Sequence, residues 1–389
     1  MTLEEAKAYV LKRARELGVE AELLFEEERE LSLRAREGRL EEIKEARQRG
    51  LGLRVVAEGK VGYAYTEELS PEALDWALEE ARANALLPAK EGALPQGSPL
   101  GSHDLLGEGK KEAALALEAA LRQDPRVKSV LMGGYLEREI RVALKSTQGA
   151  EGSFRTGFAA LTGSFVMAQG KSVKQGWDFK AGKEFHALEP GRTALEFREK
   201  TARLLEAKPL KTGRYRAYLE PRAMAMLLSV FAEALSGKNA LEGKSRLLGR
   251  LGERIASPLV TLVDDPTLEK GLLSRPLDAY RGTLGVAPTN LYLEPVGNLA
   301  LTDGVVVTEF MGLHAGANPV TLDFSLQALG LWVEEGEVRH AVENFAVSGN
   351  LLELLQAVEA VGDDLDWLLW NAAYGSPTVA VAELSFAGA

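Results

Sequence analysis

Two long segments near the amino terminus alternate apolar and polar residues, and this alternation constrains the fold more than any other feature of the sequence. The segments read AELLFEEERELSLRARE and RGLGLRVVAEGKVGYAYT. In the second, Leu51, Leu53 and Val55 fall on one face, because successive side chains of a strand point to opposite sides. Glycines lie where turns would join such strands. The pattern predicts β-strands with one buried face.

Helices flank these strands. Thr2 followed by Glu5 forms a capping box and predicts an amphipathic helix that ends near Gly18. Ser70 and Pro71 predict the start of a second helix, because proline is favoured at the first helical position.

The order of helix and strands then recurs in a looser form. A stretch rich in proline, glycine and serine, at 88–109, predicts a long connection. A helix near 110–123, strands from 127 to about 185 and a closing helix follow, which resembles a second α+β half without a residue-level repeat. Residues 1–210 are therefore predicted to form an N-terminal α+β domain of helices and antiparallel strands.

Residues 211–389 are predicted to form a second domain. The turn-rich segment PLKTG, at 209–213, marks the boundary. Strand patterns with glycine turns dominate beyond residue 252, and one late helix is predicted near 350–361. The pattern indicates a mainly antiparallel, barrel-like β domain with a few helices, so the whole chain is of the α+β class.

Composition excludes several classes of function. A net charge of −11 without a basic cluster argues against direct binding of nucleic acid. No apolar run approaches the roughly 18 residues of a membrane span, and the charged start is unlike a signal peptide, so we expect a cytoplasmic protein. The absence of cysteine removes disulfides, thiol nucleophiles and thiolate metal ligands.

One lysine-bearing segment imitates a phosphate-binding loop. Gly237, Gly243, Lys244 and Ser245 have the right residue types, but five residues separate the two glycines where the motif needs four. The segment also follows a predicted helix, whereas the motif follows a strand. Nucleotide binding is not the favoured interpretation.

Four blocks of sequence resemble the TldD/PmbA family, and they extend from the first domain nearly to the carboxyl terminus. They are GLGLRVVAEGKVGYAYTEELS, ALEGKSRLLGRLGERIASPLVTLVDDP, TEFMGLHAGANPVTLDFSLQALGLWVEEGEV and VENFAVSGNLLELL. The third block is more similar to the PmbA branch, also called TldE, than to the TldD branch. The resemblance implies a zinc metalloprotease system, once called a modulator of DNA gyrase, that works as paired TldD-like and TldE-like subunits.

In TldD-like chains the resemblance implies a zinc motif, His-Glu-x-x-x-His, on the helix that corresponds to 221–235. Aligned on the blocks that follow it, the motif falls on Ala232, Glu233 and Gly237, so both histidine positions hold residues that cannot bind a metal. Residues five apart lie ~140° apart around a helix, so the motif requires a bulge or a helix end. The cysteine expected near the carboxyl terminus of TldD-like chains is also absent.

The residue pattern of the helix predicted at 221–235 is that of a structural helix. Its apolar residues form one predicted stripe, made of Met224, Leu227, Leu228, Phe231 and Leu235. Glu233 lies about opposite this stripe, which favours a solvated side chain over a catalytic one. Gly237 is predicted to end the helix as a C-terminal glycine. The later block GLHAGANP predicts a tight glycine turn whose backbone approaches another group closely.

Histidines offer the other candidate metal ligands. The sequence has four, which are His103, His186, His314 and His340. The second domain contains two pairs of a histidine and a nearby carboxylate, which are His314 with Asp323 and His340 with Glu343. Neither pair has a recognised zinc spacing. His314 and His340 are therefore candidate ligands, against the alternative of surface or hydrogen-bonded histidines.

Three functions are open. The first is a non-catalytic PmbA/TldE-like subunit that pairs with a TldD-like chain, which holds the zinc, and helps to enclose unfolded peptides. The second is a peptidase that acts alone through an unrecognised metal site. The third is a regulatory homodimer that modulates DNA gyrase indirectly, because an acidic surface repels bare phosphates.

Overall fold

A computed structural model describes residues 1–87, 94, 109–268, 271–274 and 290–388. The connection predicted at 88–109, with His103, lies outside the described residues apart from positions 94 and 109. None of the described helices is long and apolar enough to cross a membrane.

The described helices are α1 (Leu3–Glu16), α2 (Pro71–Leu86), α3 (Lys110–Leu121), α4 (Pro190–Ala202), α5 (Pro221–Leu235), α6 (Gly237–Leu241), α7 (Leu313–Gly316) and α8 (Leu351–Gln356). A single 3-10 turn spans Phe185–Ala187.

The described strands are β1 (Glu20–Arg36), β2 (Arg39–Ala57), β3 (Lys60–Thr66), β4 (Val127–Ser146), β5 (Glu151–Gln169), β6 (Ser172–Gly182), β7 (Lys208–Pro209), β8 (Gly213–Leu219), β9 (Leu262–Asp264), β10 (Asn290–Leu293), β11 (Gly304–Met311), β12 (Asp323–Glu334), β13 (Glu337–Asn350), β14 (Val358–Val361), β15 (Asp366–Leu369), β16 (Ala373–Ser376) and β17 (Val379–Ala387).

The first six strands form one antiparallel sheet in the order β3-β2-β1-β4-β5-β6. Each half of the sheet comes from one run of helix, three strands and helix, as the recurring order predicts. The halves join through β1 and β4, which pair from Glu22 opposite Ser146 to Ala35 opposite Gly133.

Helices cover this sheet in two places. Helices α1 and α2 pack on the face that carries Leu51, Leu53 and Val55, so the predicted buried face is confirmed. Helices α3 and α4 cover a second core around β4 and β5. The capping box at Thr2 is confirmed, because its hydroxyl accepts from the Glu5 amide while the Glu5 carboxylate accepts from the Thr2 amide.

The carboxyl-terminal half contains a barrel. Its sheet runs β14-β17-β8-β11-β12-β13-β7, and an additional pairing of β17 with β13 closes five strands on themselves. The predicted barrel-like domain is confirmed. Most pairings are antiparallel, although β8 with β11 and β7 with β13 are parallel.

A second, four-stranded sheet, in the order β15-β16-β10-β9, lies on the other side of α5. Helix α5 contacts β8 and β11 of the barrel and β10, β15 and β16 of this small sheet. Its buried positions extend beyond the predicted stripe and include Ala223, Ala225, Met226, Ala232 and Ala234. The prediction for Leu235 is wrong, because this residue ends the helix and is 40% exposed.

The boundary predicted near residue 210 stays a prediction. The N-terminal sheet uses residues 20–182, and the strands from residue 208 onward belong to the two other sheets. The short strand β7, just before the predicted boundary, pairs with β13 of the barrel sheet.

Candidate functional site

The residues aligned with the zinc motif lie at the end of α5 and just after it. Ala232 is 4% exposed and packs in the core of the barrel half, whereas Glu233 is exposed. The helix ends at Leu235, and Ser236 has an extended conformation. The prediction for Gly237 is wrong, because this glycine does not end α5 but begins the short helix α6. The segment thus contains the helix end that the spacing of the motif requires.

The Glu233 carboxylate is held by a neighbouring amide. Asn239 Nδ2 donates to Glu233 Oε2 at 3.0 Å and to the Glu233 carbonyl oxygen at 2.9 Å. The carboxylate also lies close enough to Tyr374 to act on its titration: burial first, and the negative charge of Glu233 second, raise the pKa of Tyr374 to about 12. Glu233 therefore has a defined position at the surface.

Glu233 lines a cleft of about 610 Å³, a volume that is typical of ligand pockets. The lining residues described are Ser229, Val230, Glu233, Leu313, His314, Ala317, Pro319, Trp370 and Asn371. Three chain segments that are far apart in the sequence meet here: the last turns of α5, the α7 segment and the β15–β16 connection. The cleft, which we call the α5 cleft, brings His314 and Glu233 together.

The α7 wall of the cleft is a tight turn. Gly312 has a φ of +77°, a left-handed conformation that favours glycine. A Cβ atom at Gly316 would lie 2.4 Å from the carbonyl oxygen of Ser325, so only glycine fits there. The predicted close backbone approach is confirmed. Asn318 fixes the next turn, since its Oδ1 accepts from the amides of Val320 at 2.8 Å and Thr321 at 3.1 Å.

The opposite wall carries Trp370 and Asn371. The Trp370 amide donates to the Ala372 carbonyl oxygen at 2.9 Å, which closes a turn. The side-chain oxygen of Asn371 accepts from the buried hydroxyl of Tyr374 at 3.1 Å. This bond orients the Asn371 amide, while the Trp370 side chain stays 45% exposed.

Asp323 of the predicted His314–Asp323 pair is engaged by other residues. Asn350 Nδ2 donates to Asp323 Oδ1 at 2.8 Å, and this bond first, with one from Thr321 second, holds the pKa of Asp323 below its usual value. Asp323 is absent from the lining of the α5 cleft as far as the structure describes it, whereas His314 is part of that lining.

The predicted His340–Glu343 pair is divided between different contacts. His340 lies on β13 opposite Trp332 of β12, and burial first and the charge of Lys208 second lower the pKa of His340. The Glu343 carboxylate forms an ion pair with Lys174 of β6. The α5 cleft therefore contains only one of the two candidate histidines.

The residues at the zinc-motif position do not fit a zinc ion. Structural and catalytic zinc sites use at least three protein ligands. Across the described ranges no group of three or more histidine, cysteine, aspartate or glutamate side chains has an arrangement that holds a metal. Within the described lining of the α5 cleft, His314 and Glu233 are the only side chains of those types. Two such side chains fall short of the ligand set that zinc requires.

The lysine-bearing segment serves the fold. Ser245 Oγ donates to the Ala234 carbonyl oxygen at 2.6 Å and accepts from the Leu247 amide at 3.1 Å. Lys244 is exposed and pairs with Glu242 at 2.7 Å. The hydroxyl that a phosphate loop would use is thus engaged in satisfying the end of α5.

Sequence reasoning missed Trp370, Asn371 and Ser229 as parts of the site. The signal available was the segment WNAAYG, in which an aromatic residue precedes turn residues outside any alternating pattern. The assembly of these residues with Glu233 depends on the pairing of β15 with β16 against α5, which no local pattern reveals.

Comparisons with known proteins cover nearly the whole chain. The family model described as PmbA/TldA metallopeptidase domain 1 matches residues 21–85. The model of the central domain matches 103–205, and that of the C-terminal domain matches 212–280 and 279–388.

Individual relatives are distant but extend over the full length. A metalloprotease of Methanothermobacter thermautotrophicus is 26% identical over 86% of this chain and 86% of its own length. The metalloprotease PmbA of Escherichia coli O157:H7 is 23% identical over 94% of this chain and 92% of its own.

Two solved structures share the fold. A crystal structure from Thermotoga maritima, described as a putative modulator of a DNA gyrase, matches with a TM-score of 0.88 at 26% identity, over 99% of this chain and 100% of that one. TldE from Thermococcus kodakarensis matches with a TM-score of 0.80 at 19% identity, over 98% and 100% of the two chains. At 19% identity the second match shows the fold alone.

Proposed function

The chain belongs to the PmbA/TldD family of metallopeptidase-like proteins, and from this membership we propose that it is a non-catalytic, TldE-like subunit. It pairs with a TldD-like chain and helps to enclose unfolded peptides. The zinc and the hydrolytic chemistry belong to the partner, so this chain contributes surface and not metal ligands.

The observation that carries this proposal is the chemistry at the end of α5. Ala232 and Gly237 occupy the two histidine positions, and neither side chain has a donor atom for a metal. Glu233 keeps the position of the general base, but its carboxylate accepts from Asn239 at the edge of the α5 cleft. The chain therefore lacks the two motif histidines that would hold a metal-bound water beside this carboxylate.

The sheet edges support a role in holding extended peptides. Strands β3 and β6 form the two edges of the N-terminal sheet in the described structure. An extended chain can add to such an edge through main-chain hydrogen bonds, which tolerate many sequences. This mode suits a subunit that handles unfolded peptides of varied sequence.

The test measures zinc content and peptidase activity together. Zinc is determined by mass spectrometry on the purified chain, and hydrolysis of unfolded casein is followed for this chain, for a TldD-like chain of the same genome and for their mixture. We expect a zinc-free, inactive chain and activity that rises only in the mixture. A TldD-like chain with its first motif histidine changed to alanine is the control, and its mixture should stay inactive.

Two outcomes of this experiment would overturn the proposal. Stoichiometric zinc with casein hydrolysis by the lone chain, both lost in His314→Ala, would overturn the proposal in favour of a peptidase that acts alone. A lone chain that forms a stable homodimer and leaves the activity of the TldD-like chain unchanged would also overturn it.

A further inference from the structure

We propose that the α5 cleft binds a basic side chain, preferably arginine, of an extended peptide. The inference deepens the proposed function, because it supposes that this chain handles peptides, and it assigns the vacated zinc-motif position a role in recognition. Three properties of the cleft carry it: a carboxylate available to a cation, an exposed tryptophan side chain and apolar walls.

The carboxylate of Glu233 has no cationic partner among the side chains that the structure describes. Its contact is the neutral amide of Asn239, at 3.0 Å. Among the described lining residues Glu233 is the sole acidic one, and neither lysine nor arginine is present there. A guanidinium forms paired hydrogen bonds with a carboxylate, which are stronger than neutral ones. The cleft therefore offers charge complementarity to a cation.

Trp370 supplies the second element of recognition. Its side chain is exposed and lines the same cleft as Glu233. A planar guanidinium stacks on an indole face and gains a cation–π contribution, for which tryptophan is the best aromatic residue. The combination of one carboxylate and one indole face discriminates arginine from lysine, whose ammonium is more strongly hydrated.

The remaining walls match the aliphatic stem of such a side chain. Val230, Leu313 and Pro319 present apolar surface beside the polar groups. Basic side chains bury their methylene stems along apolar surface while the charged head keeps polar contacts. Asn371, oriented by the Tyr374 hydroxyl, adds an amide at the rim of the cleft.

The cleft is also preorganised. One wall is the end of a buried helix, and another is the turn in which Gly316 abuts the Ser325 carbonyl oxygen. Walls that keep their geometry reduce the entropy lost on binding. These two walls therefore lose little conformational entropy when a side chain binds.

Binding is tested on the lone chain by fluorescence anisotropy. The probes are labelled flexible peptides of glycine and serine with one central residue, which is arginine, its neutral isostere citrulline, or glutamate. We expect the arginine peptide to bind roughly tenfold more tightly than the citrulline peptide, as one charge-assisted pair implies. Glu233→Gln should reduce this preference to about one and leave the citrulline peptide unchanged.

The matched control removes the same charge elsewhere. Glu337 is exposed beside the hairpin turn at the far end of β12 from the cleft, and Glu337→Gln should keep the full preference for arginine. Trp370→Ala should weaken the arginine peptide more than the citrulline peptide. Circular dichroism establishes that each variant is folded.

Two results would overturn the inference. One is a wild-type chain that binds arginine and citrulline peptides equally, or neither; the other is a preference for arginine that survives Glu233→Gln. Both are distinguishable from failure of the proposed function, because stimulation of a TldD-like chain on casein is measured separately. A chain that stimulates the partner without preferring arginine retains the proposed function and loses this inference.

Discussion

Arg222 Nη1 donates to Asp178 Oδ1 at 2.7 Å, and this contact ties the first turn of α5 to strand β6 of the N-terminal sheet. The same guanidinium reaches Glu309 of β11 at 3.2 Å and lies 5.5 Å from the ring centre of Trp177. Lys200 of α4 contacts the other Asp178 oxygen at 3.0 Å. The helix that carries the candidate site is thus anchored to the other half of the molecule by charge.

Replacing Arg222 by methionine should destabilise the protein. The Asp178 side chain is 9% exposed and would lose its shortest contact, whereas Arg222 itself is 23% exposed, so the loss is smaller than for a fully buried pair. We expect about 2–3 kcal/mol less free energy of unfolding, measured in urea by tryptophan fluorescence.

Arg192→Met is the matched control for this prediction. Arg192 pairs with Glu196 one turn away on α4 and is 73% exposed. Its loss should cost less than about 0.5 kcal/mol. Equal effects of the two substitutions would show that the contact of Arg222 with Asp178 adds nothing specific to the joining of α5 and β6.

The buried amine of Lys183 should make the free energy of unfolding depend on pH. Burial lowers the pKa of Lys183 from 10.5 to about 8, and its amine donates to the Thr156 hydroxyl at 3.2 Å. Between these two values the unfolded chain holds a proton that the folded chain has released, so this group makes the free energy of unfolding rise with pH. Below pH 8 the cost of burying the charge is present in full.

The measurement compares wild type with Lys183→Met in urea at several pH values from about 7 to 10.5. The stability of wild type relative to the variant should increase with pH across this range. Lys171→Met, on the exposed turn between β5 and β6, should keep the wild-type dependence. A constant difference between wild type and Lys183→Met would contradict the prediction.

Local chemistry made part of this fold predictable from the sequence. The start of α1 followed from Thr2 and Glu5, because a capping box satisfies backbone donors within a few consecutive residues. The buried face of β2 followed from Leu51 and Leu53, because strand periodicity alone decides which side chains share a face.

Contacts between distant segments were not predictable in the same way. Barrel closure pairs Val347 with Phe386, and alternation shows which way these residues face but not which strands meet. Leu235 has the period of a buried residue yet is exposed, because α5 ends at this residue. The α5 cleft joins Glu233 to Trp370 through the packing of a sheet on a helix, so its ligand chemistry is visible only in the structure.

Gly316→Ala should distort the α7 wall of the cleft. The added Cβ would lie 2.4 Å from the Ser325 carbonyl oxygen and 2.8 Å from Leu326 Cδ2, so the backbone has to move. We expect a loss of about 1–3 kcal/mol in urea unfolding, as for other overpacked sites, together with weaker binding of the arginine peptide.

Gly191→Ala separates this steric effect from the general effect of removing a glycine. A Cβ at Gly191, in the first turn of α4, meets nothing within 4 Å. Alanine there should stabilise the helix by up to about 1 kcal/mol. If Gly316→Ala were as stable as wild type, the turn would be able to relax and the cleft would not be preorganised.

Ser245→Ala distinguishes a structural hydroxyl from a phosphate ligand. Ser245 is 7% exposed, and its loss leaves the Ala234 carbonyl oxygen without its 2.6 Å donor. Because an unsatisfied buried acceptor is costly, we expect about 1–3 kcal/mol less stability in urea. Lys244→Ala removes only an exposed pair with Glu242 and should be nearly neutral.

Magnesium ATP should leave the thermal midpoint of wild type and both variants unchanged, since any ligand that binds the folded state raises it. A midpoint that rises with ATP in wild type and not in Lys244→Ala would restore the phosphate-loop interpretation.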